Sequence, residues 1–238
     1  MAEHRFQTPE PVELEVRIAT GRIEIVTVDG DESVVTLEGS DRMLEQTTVD
    51  LQGRRLVVEF RGRKHGKLRV CAAVPHRSEA NLVTAAADMD LRGRLASLDT
   101  KSASGDLVVS GEIERNADLK TVSGDVELQA VGGDLDVKTI SGDVHATSVG
   151  GSVTAKSVSG DVRVDSVREG HVEVQSVSGD IAVGVAPRTN LDVDAGSVSG
   201  DLASEVPLGS EPTGTGDGPT VIVRGRTVSG DFKLFRAA

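Results

Sequence analysis

Apolar and polar residues alternate by two along much of this chain. In SGDVELQAVGGDLDVKTI, residues 123 to 140, the apolar positions are Val126, Leu128, Val131, Leu135, Val137 and Ile140. A period of two sends successive side chains to opposite faces of a strand, whereas a helix needs apolar spacings of three and four over a longer window. The pattern predicts strands of about five residues separated by corners.

The corners repeat. Ser-Gly-Asp and its flanks recur as SASGD (102–106), TVSGD (121–125), TISGD (139–143), SVSGD (157–161, 176–180 and 197–201) and TVSGD (227–231). The glycines are spaced by 19, 18, 18, 19, 21 and 30 residues, and weaker turns at VGGDL, VGGSV and REGHV lie half-way between them. If each unit of about 18 residues makes one full coil, equivalent residues stack about 4.7–4.9 Å apart. The expected fold is therefore all-β: a parallel two-sheet β-solenoid around a Val/Leu/Ile core.

The first 80 residues lack this period but still read as strands: VELEVRIA, RIEIVTV, SVVTLEG, TTVDL, RLVVEF and KLRVCAAV. VDGDE and RGRKHGK suit turns between paired strands, so an N-terminal antiparallel β-sheet cap is expected over 1–80 and the solenoid over 81–238. Residues 81–104 read as an irregular first coil. The Gly/Pro/Thr-rich excursion 207–220 accounts for the step of 30, after which TVIVRGRTVSGDFKLFRAA returns as a last coil whose Phe232 and Phe235 close the core.

Composition narrows the function. The 238 residues include four Phe and no Trp or Tyr, and Cys71 is the single cysteine, so an intrachain disulfide and a cysteine-based zinc cluster are excluded. The net charge of −12 is uneven: residues 98–205 hold 19 acids and 8 bases, against 16 and 14 in residues 1–97. An acidic repeat region without Trp or Tyr is a poor nucleic-acid surface, lacking phosphate neutralisation and base stacking. The N-terminal MAEHRFQTPEPVELEV has no basic start followed by an apolar run, and no window approaches a transmembrane segment. The expectation is a cytoplasmic protein.

Taken together, the strand pair VELEVRIATGRIEIVTVDGDESVVTLEG, the element LRVCAAVP, the serial SGDV units and the terminal RTVSGDFKL resemble a bacterial family of repeat proteins labelled "putative adhesin". The resemblance covers nearly the whole chain. It implies a β-solenoid without an assigned catalytic function, in a family associated with the cell envelope.

The corner residues have structural roles to fill. Gly supplies positive φ without a Cβ clash, and Ser and Asp can accept turn N–H groups that have left the ladder. Stacking also brings Asp106, Asp125, Asp143, Asp161, Asp180 and Asp201 into a column, where neighbouring charges repel by roughly 0.9 kcal/mol in water. Calcium would relieve this, but a turn of only Ser-Gly-Asp offers few oxygens beside the Gly-rich loop of the calcium-binding nonapeptide repeats. No other cofactor is implied.

The histidines His4, His65, His76, His145 and His171 follow no metal-ligand spacing, and no nucleophile elbow or convergent acid–base cluster is visible. Catalysis is not expected. The strongest charge anomaly is RRLVVEFRGRKHGKLR, with seven bases and one acid. Its Arg61, Arg63, Lys64 and Lys67 are candidates for contact with an anionic partner or another copy's acidic face. The expected role is non-enzymatic: a structural or protein-interaction solenoid, self-associating or binding an unidentified protein. A cation-stabilised or carbohydrate-binding solenoid is the alternative.

Overall fold

The 18-residue coil is visible in the strand pairing. The parallel registers Val126↔Val144↔Val162 and Leu135↔Val153 repeat at intervals of 18, and Val153↔Val172 and Val162↔Ile181 at 19. The computed structural model describes residues 1–62, 66–206 and 218–237. These form twenty-one strands and one five-residue helix, Asp41–Glu45. The chain divides into two compact units, one of Met1–Glu114 with Asp118–Gly124, the other of Arg115–Ala117 with Asp125–Ala238.

In the second unit each coil contributes two strands, such as Val126–Val131 and Leu135–Lys138, each paired in parallel with its equivalent one coil on. Inward residues form buried columns: Val126, Val144, Val162, Ile181 and Phe232 in one, Leu128, Ala146, Val164, Val183 and Leu234 in another. Parallel strands in near-perfect register place like beside like, so a repeating sequence yields a repeating core.

Chain order fails at the C-terminal end. The strand Gly170–Gln175 pairs not with the next strand in sequence but with Thr220–Ser229, and Ile181–Val185 pairs with Phe232–Arg236. The intervening coil, Asn190–Ser199 and Leu202–Ser204, lies on the far side of these two strands. The returning segment is thus inserted one place before its sequence position, not added last. The reason lies in the apolar load: Val221, Val223, Phe232 and Leu234 are all buried, whereas Leu191, Val193 and Ala195 are half-buried and Leu202 is exposed. A coil flanked on both sides must supply the larger core residues.

Of the two phenylalanines expected to close the core, Phe232 does fill it, in space left by Gly225, whose added Cβ would lie 2.1 Å from the ring. Phe235 is half-buried outside it, with the Arg163 guanidinium 5.5 Å from its ring centroid.

The first unit corrects the expectation of an antiparallel cap. Ala2–Gln7 with Glu32–Glu38, the latter with Leu68–Pro75, and Thr47–Gln52 with Arg55–Phe60 are antiparallel. The long strand Glu13–Val28, however, pairs in parallel with Arg55–Phe60, Leu68–Pro75 and Glu79–Leu95. Residues 81–104 are also regular, not irregular: Glu79–Leu95 meets Ser97–Ser104 and Leu107–Ile113 at the full interval of 18. The core here runs through Leu14, Val16, Ile23, Ile25, Leu82 and Leu91.

Candidate interaction surface

Each corner begins as the continuation of a strand. In the second unit Leu135 and Val137 face inward, so by alternation Thr139 also faces inward and Lys138 and Ile140 face out. The same parity buries Ser157, Ser176 and Thr227 and exposes Val158, Val177 and Val228. The aliphatic residue before Ser-Gly-Asp therefore does not return the chain to the core, as hydrophobicity alone suggests. Ile140, Val158, Val177 and Val228 are each about half exposed (47–51%), and Val198 is 81% exposed. They form a column in the spatial order 140, 158, 177, 228, 198, following the strand registers. Val122 in the first unit has the same exposure.

Behind this column the backbone remains laddered. Ser159, Ser178 and Ser229 donate their N–H groups to the carbonyls of Ile140, Val158 and Val177 at 2.8–2.9 Å. Gly160 and Gly179 adopt φ of 139° and 145°, and a Cβ on either would fall 2.3–2.4 Å from the glycine carbonyl oxygen of the preceding coil. Only glycine meets both demands.

The aspartates answer the question of the acidic column. Asp143 N–H donates to Asp125 Oδ1 at 2.9 Å, Asp161 to Asp143 at 2.9 Å, Asp180 to Asp161 at 2.8 Å, Asp231 to Asp180 at 2.8 Å and Asp201 to Asp231 at 2.8 Å. Asp231, absent from the expected column, stands between Asp180 and Asp201. In the first unit Asp106 donates in the same way to Asp88 at 3.4 Å. Each carboxylate thus accepts the N–H of the next rung, which the corner has turned away from the carbonyl ladder. The opposite edge does the same with mixed chemistry: Asn116 Oδ1 accepts from Asp134 N–H, Asp134 Oδ1 from Ser152 N–H, and Ser152 Oγ from His171 N–H. What the device requires is an acceptor, charged or not. Among the described residues no group of three His, Cys, Asp or Glu side chains is placed to hold a metal ion.

Two residues before each aliphatic residue, on the same outward parity, stand Lys138, Lys156, Gln175, Arg226 and, before Val198, Gly196. Between them and the column runs a groove of about 590 Å³, lined by Lys156, Gln175, Val177, Val198, Arg226 and Val228 among others. In three of these five coils the surface motif is Lys/Arg-Thr/Ser-Val/Ile-Ser-Gly-Asp, with Gln175 and Gly196 in the first place of the other two. Its basic and aliphatic members were legible in KTVSGD, KTISGD, KSVSGD and RTVSGD, but attention to Ser-Gly-Asp alone passes over them.

The basic run 54–69 is less concentrated than its sequence suggests. Arg61 donates to Glu59 at 2.7 Å, Arg55 bonds Glu15, and Arg69 bonds Glu24 at 2.9 Å. Lys67 lies apart, beside a groove with Arg22 and Arg69, while Arg63, Lys64 and His65 lie outside the described residues. Donation by Arg69 holds the Glu24 carboxyl below the usual range, and burial pushes the neighbouring Cys71 thiol up.

In the second unit His145 Nε2 and Arg163 Nε donate to the two oxygens of Asp165 at 2.7 and 2.6 Å. Burial pushes that carboxyl up, yet the two donors outweigh it and hold it below the usual range. The groups form a side-chain brace between neighbouring coils, since His145 and Arg163 are register partners.

Stacked parallel coils with an aspartate ladder define a repeat β-solenoid. The chain belongs to the Toastrack DUF4097 family, whose description matches residues 10–183 and 133–234. Among solved structures it is similar to a "putative adhesin" from Bacteroides fragilis NCTC 9343, at 13% identity over 98% of this chain and 96% of that one, with a TM-score of 0.59. It is also similar to a "putative lipid binding protein" from Parabacteroides distasonis ATCC 8503, at 13% identity over the same shares and a TM-score of 0.65. At these identities the likeness is one of fold. No curated protein matches the chain.

Proposed function

We propose that this protein is a non-enzymatic interaction solenoid that binds a protein partner along the corner edge of its second unit. The observation that carries the reading is the half-exposed aliphatic column, repeated at the same place in coil after coil. A solvated edge needs no Val or Ile there, and continuous exposed apolar surface marks interaction sites. The Ser-Gly-Asp residues beneath it are occupied with backbone bonding, which leaves the aliphatic and basic rows as the surface on offer.

Carbohydrate binding gains no support from an edge without aromatic rings. The description of one fold neighbour as lipid binding suggests a bilayer. The aspartate column, three residues from each aliphatic side chain, opposes an anionic membrane surface.

The test is capture of partners from the native cell by the wild type and by a Val158→Asp/Val177→Asp variant whose far-UV circular dichroism and melting are unchanged. Both side chains already face solvent, so folding should survive the change. Loss of a wild-type partner is expected; an identical set of captured proteins would overturn the proposal.

A further inference from the structure

We infer that the occupant of this edge is a second copy of the chain, related by a two-fold axis running parallel to the aliphatic column. This rests on the reading of the edge as a protein-binding surface and adds the partner's identity and orientation.

The argument is one of charge and symmetry. Along one flank of the column lie Lys138, which is paired with Asp136 at 3.0 Å, then Lys156, Gln175, Arg226 and Gly196; along the other, beyond the Ser and Gly rows, lie Asp143, Asp161, Asp180, Asp231 and Asp201. The edge is therefore asymmetric about its own long axis, with Lys156 and Arg226 on one side and the carboxylate column on the other. A two-fold interface brings one patch against itself, so only some axis directions are electrostatically allowed.

An axis perpendicular to the column, lying in the interface, sets bases against bases and carboxylates against carboxylates. An axis parallel to the column exchanges the flanks. The Lys/Arg row of each copy then faces the Asp row of the other, and each aliphatic residue meets its own counterpart. The carboxylates keep Oδ1 on the ladder N–H groups and present Oδ2 to the incoming bases.

Five residues at about 4.8 Å give a ridge roughly 19 Å long. Such a contact belongs to the small class of interfaces, so association must be followed to about 1 mM chain.

Sedimentation equilibrium of the full chain should show the mass rising from monomer towards dimer over this range. Val158→Asp/Val177→Asp should remain monomeric, and Lys156→Asp/Arg226→Asp should weaken association at least tenfold, with circular dichroism unchanged in both. Orientation is read by disulfide trapping in a Cys71→Ser background. Ile140→Cys near one end of the column and Val177→Cys at its middle should both cross-link to themselves.

Cross-linking of Val177→Cys alone would indicate the perpendicular axis and overturn the assigned symmetry. A wild type that stays monomeric, or a dimer indifferent to the Val158/Val177 change, would overturn self-association. The partner-capture comparison decides the broader reading separately, because a heterologous partner lost on the same substitution would uphold that reading while this one fails.

Discussion

Replacing Asp161 tests whether the aspartate column exists to supply acceptors or to carry charge. Asp161 accepts the Asp180 N–H at 2.8 Å and donates its own to Asp143 at 2.9 Å. A hydrogen bond to an ionised group contributes about 1.5–3 kcal/mol. Against this, Asp161 has carboxylate neighbours on both sides at about 4.8 Å, each repelling by roughly 0.9 kcal/mol in unscreened water. Physiological salt, with a Debye length of about 8 Å, reduces each to roughly 0.5 kcal/mol.

Asp161→Ala loses about 2 kcal/mol of bonding and regains about 1 in relieved repulsion, a net cost near 1 kcal/mol. Asp161→Asn keeps an acceptor, worth about 1 kcal/mol when neutral, and gains the same relief, so it should lie within about 0.5 kcal/mol of the wild type. The Asn variant should melt roughly 2–4 °C above the Ala variant by far-UV circular dichroism, and urea midpoints should keep the same order. The sodium chloride dependence of stability should be shallower in both than in the wild type. Equal stability of the Asn and Ala variants would refute the acceptor argument; a large loss in both would mean the charge itself is required.

Further predictions concern the corner, the coil order and acid stability. Gly160→Ala places a Cβ 2.4 Å from the Gly142 carbonyl oxygen at a φ of 139°, so a loss of about 3 kcal/mol or failure to fold is expected, measured by urea unfolding. Because Lys233 is the register partner of both Ala182 and Ala203, the pair Ala182→Cys/Lys233→Cys should oxidise to an intrachain disulfide. Ala182→Cys/Ala203→Cys should not, and the reverse result would restore sequential stacking. The Glu24 and Asp165 carboxyls titrate lower folded than unfolded, so their stabilisation is complete above the ordinary carboxylate range and disappears as pH falls through the lowered values. Glu24→Gln and Asp165→Asn should each flatten the acid limb of stability against pH, and an unchanged limb would count against both braces.

Much of the fold was legible because its rules are local. Alternation by two, Gly at positive φ and a spacing of 18 together specify a strand, a corner and a coil. Even the outward column could be read by carrying the parity of Leu135 and Val137 forward to Thr139 and Ile140. Expecting Val and Ile to be buried hid it, since at the strand end parity outranks hydrophobicity. Coil regularity was likewise hidden over residues 81–104, where Asp88 holds the ladder position without a Ser-Gly-Asp signature.

Long-range pairing was a different matter. Glu13–Val28 lies parallel to Glu79–Leu95 at an interval of 66 residues, which no local pattern encodes. The sequence by itself therefore determined the coil, its corners and which side chains share a column. Tertiary structure alone decided which coil neighbours which. Coils with nearly identical edges can stack in more than one order, and the choice falls to core volume: Phe232 and Leu234 fill an interior layer between Ile181 and Leu202, leaving the lighter coil outermost among the described residues.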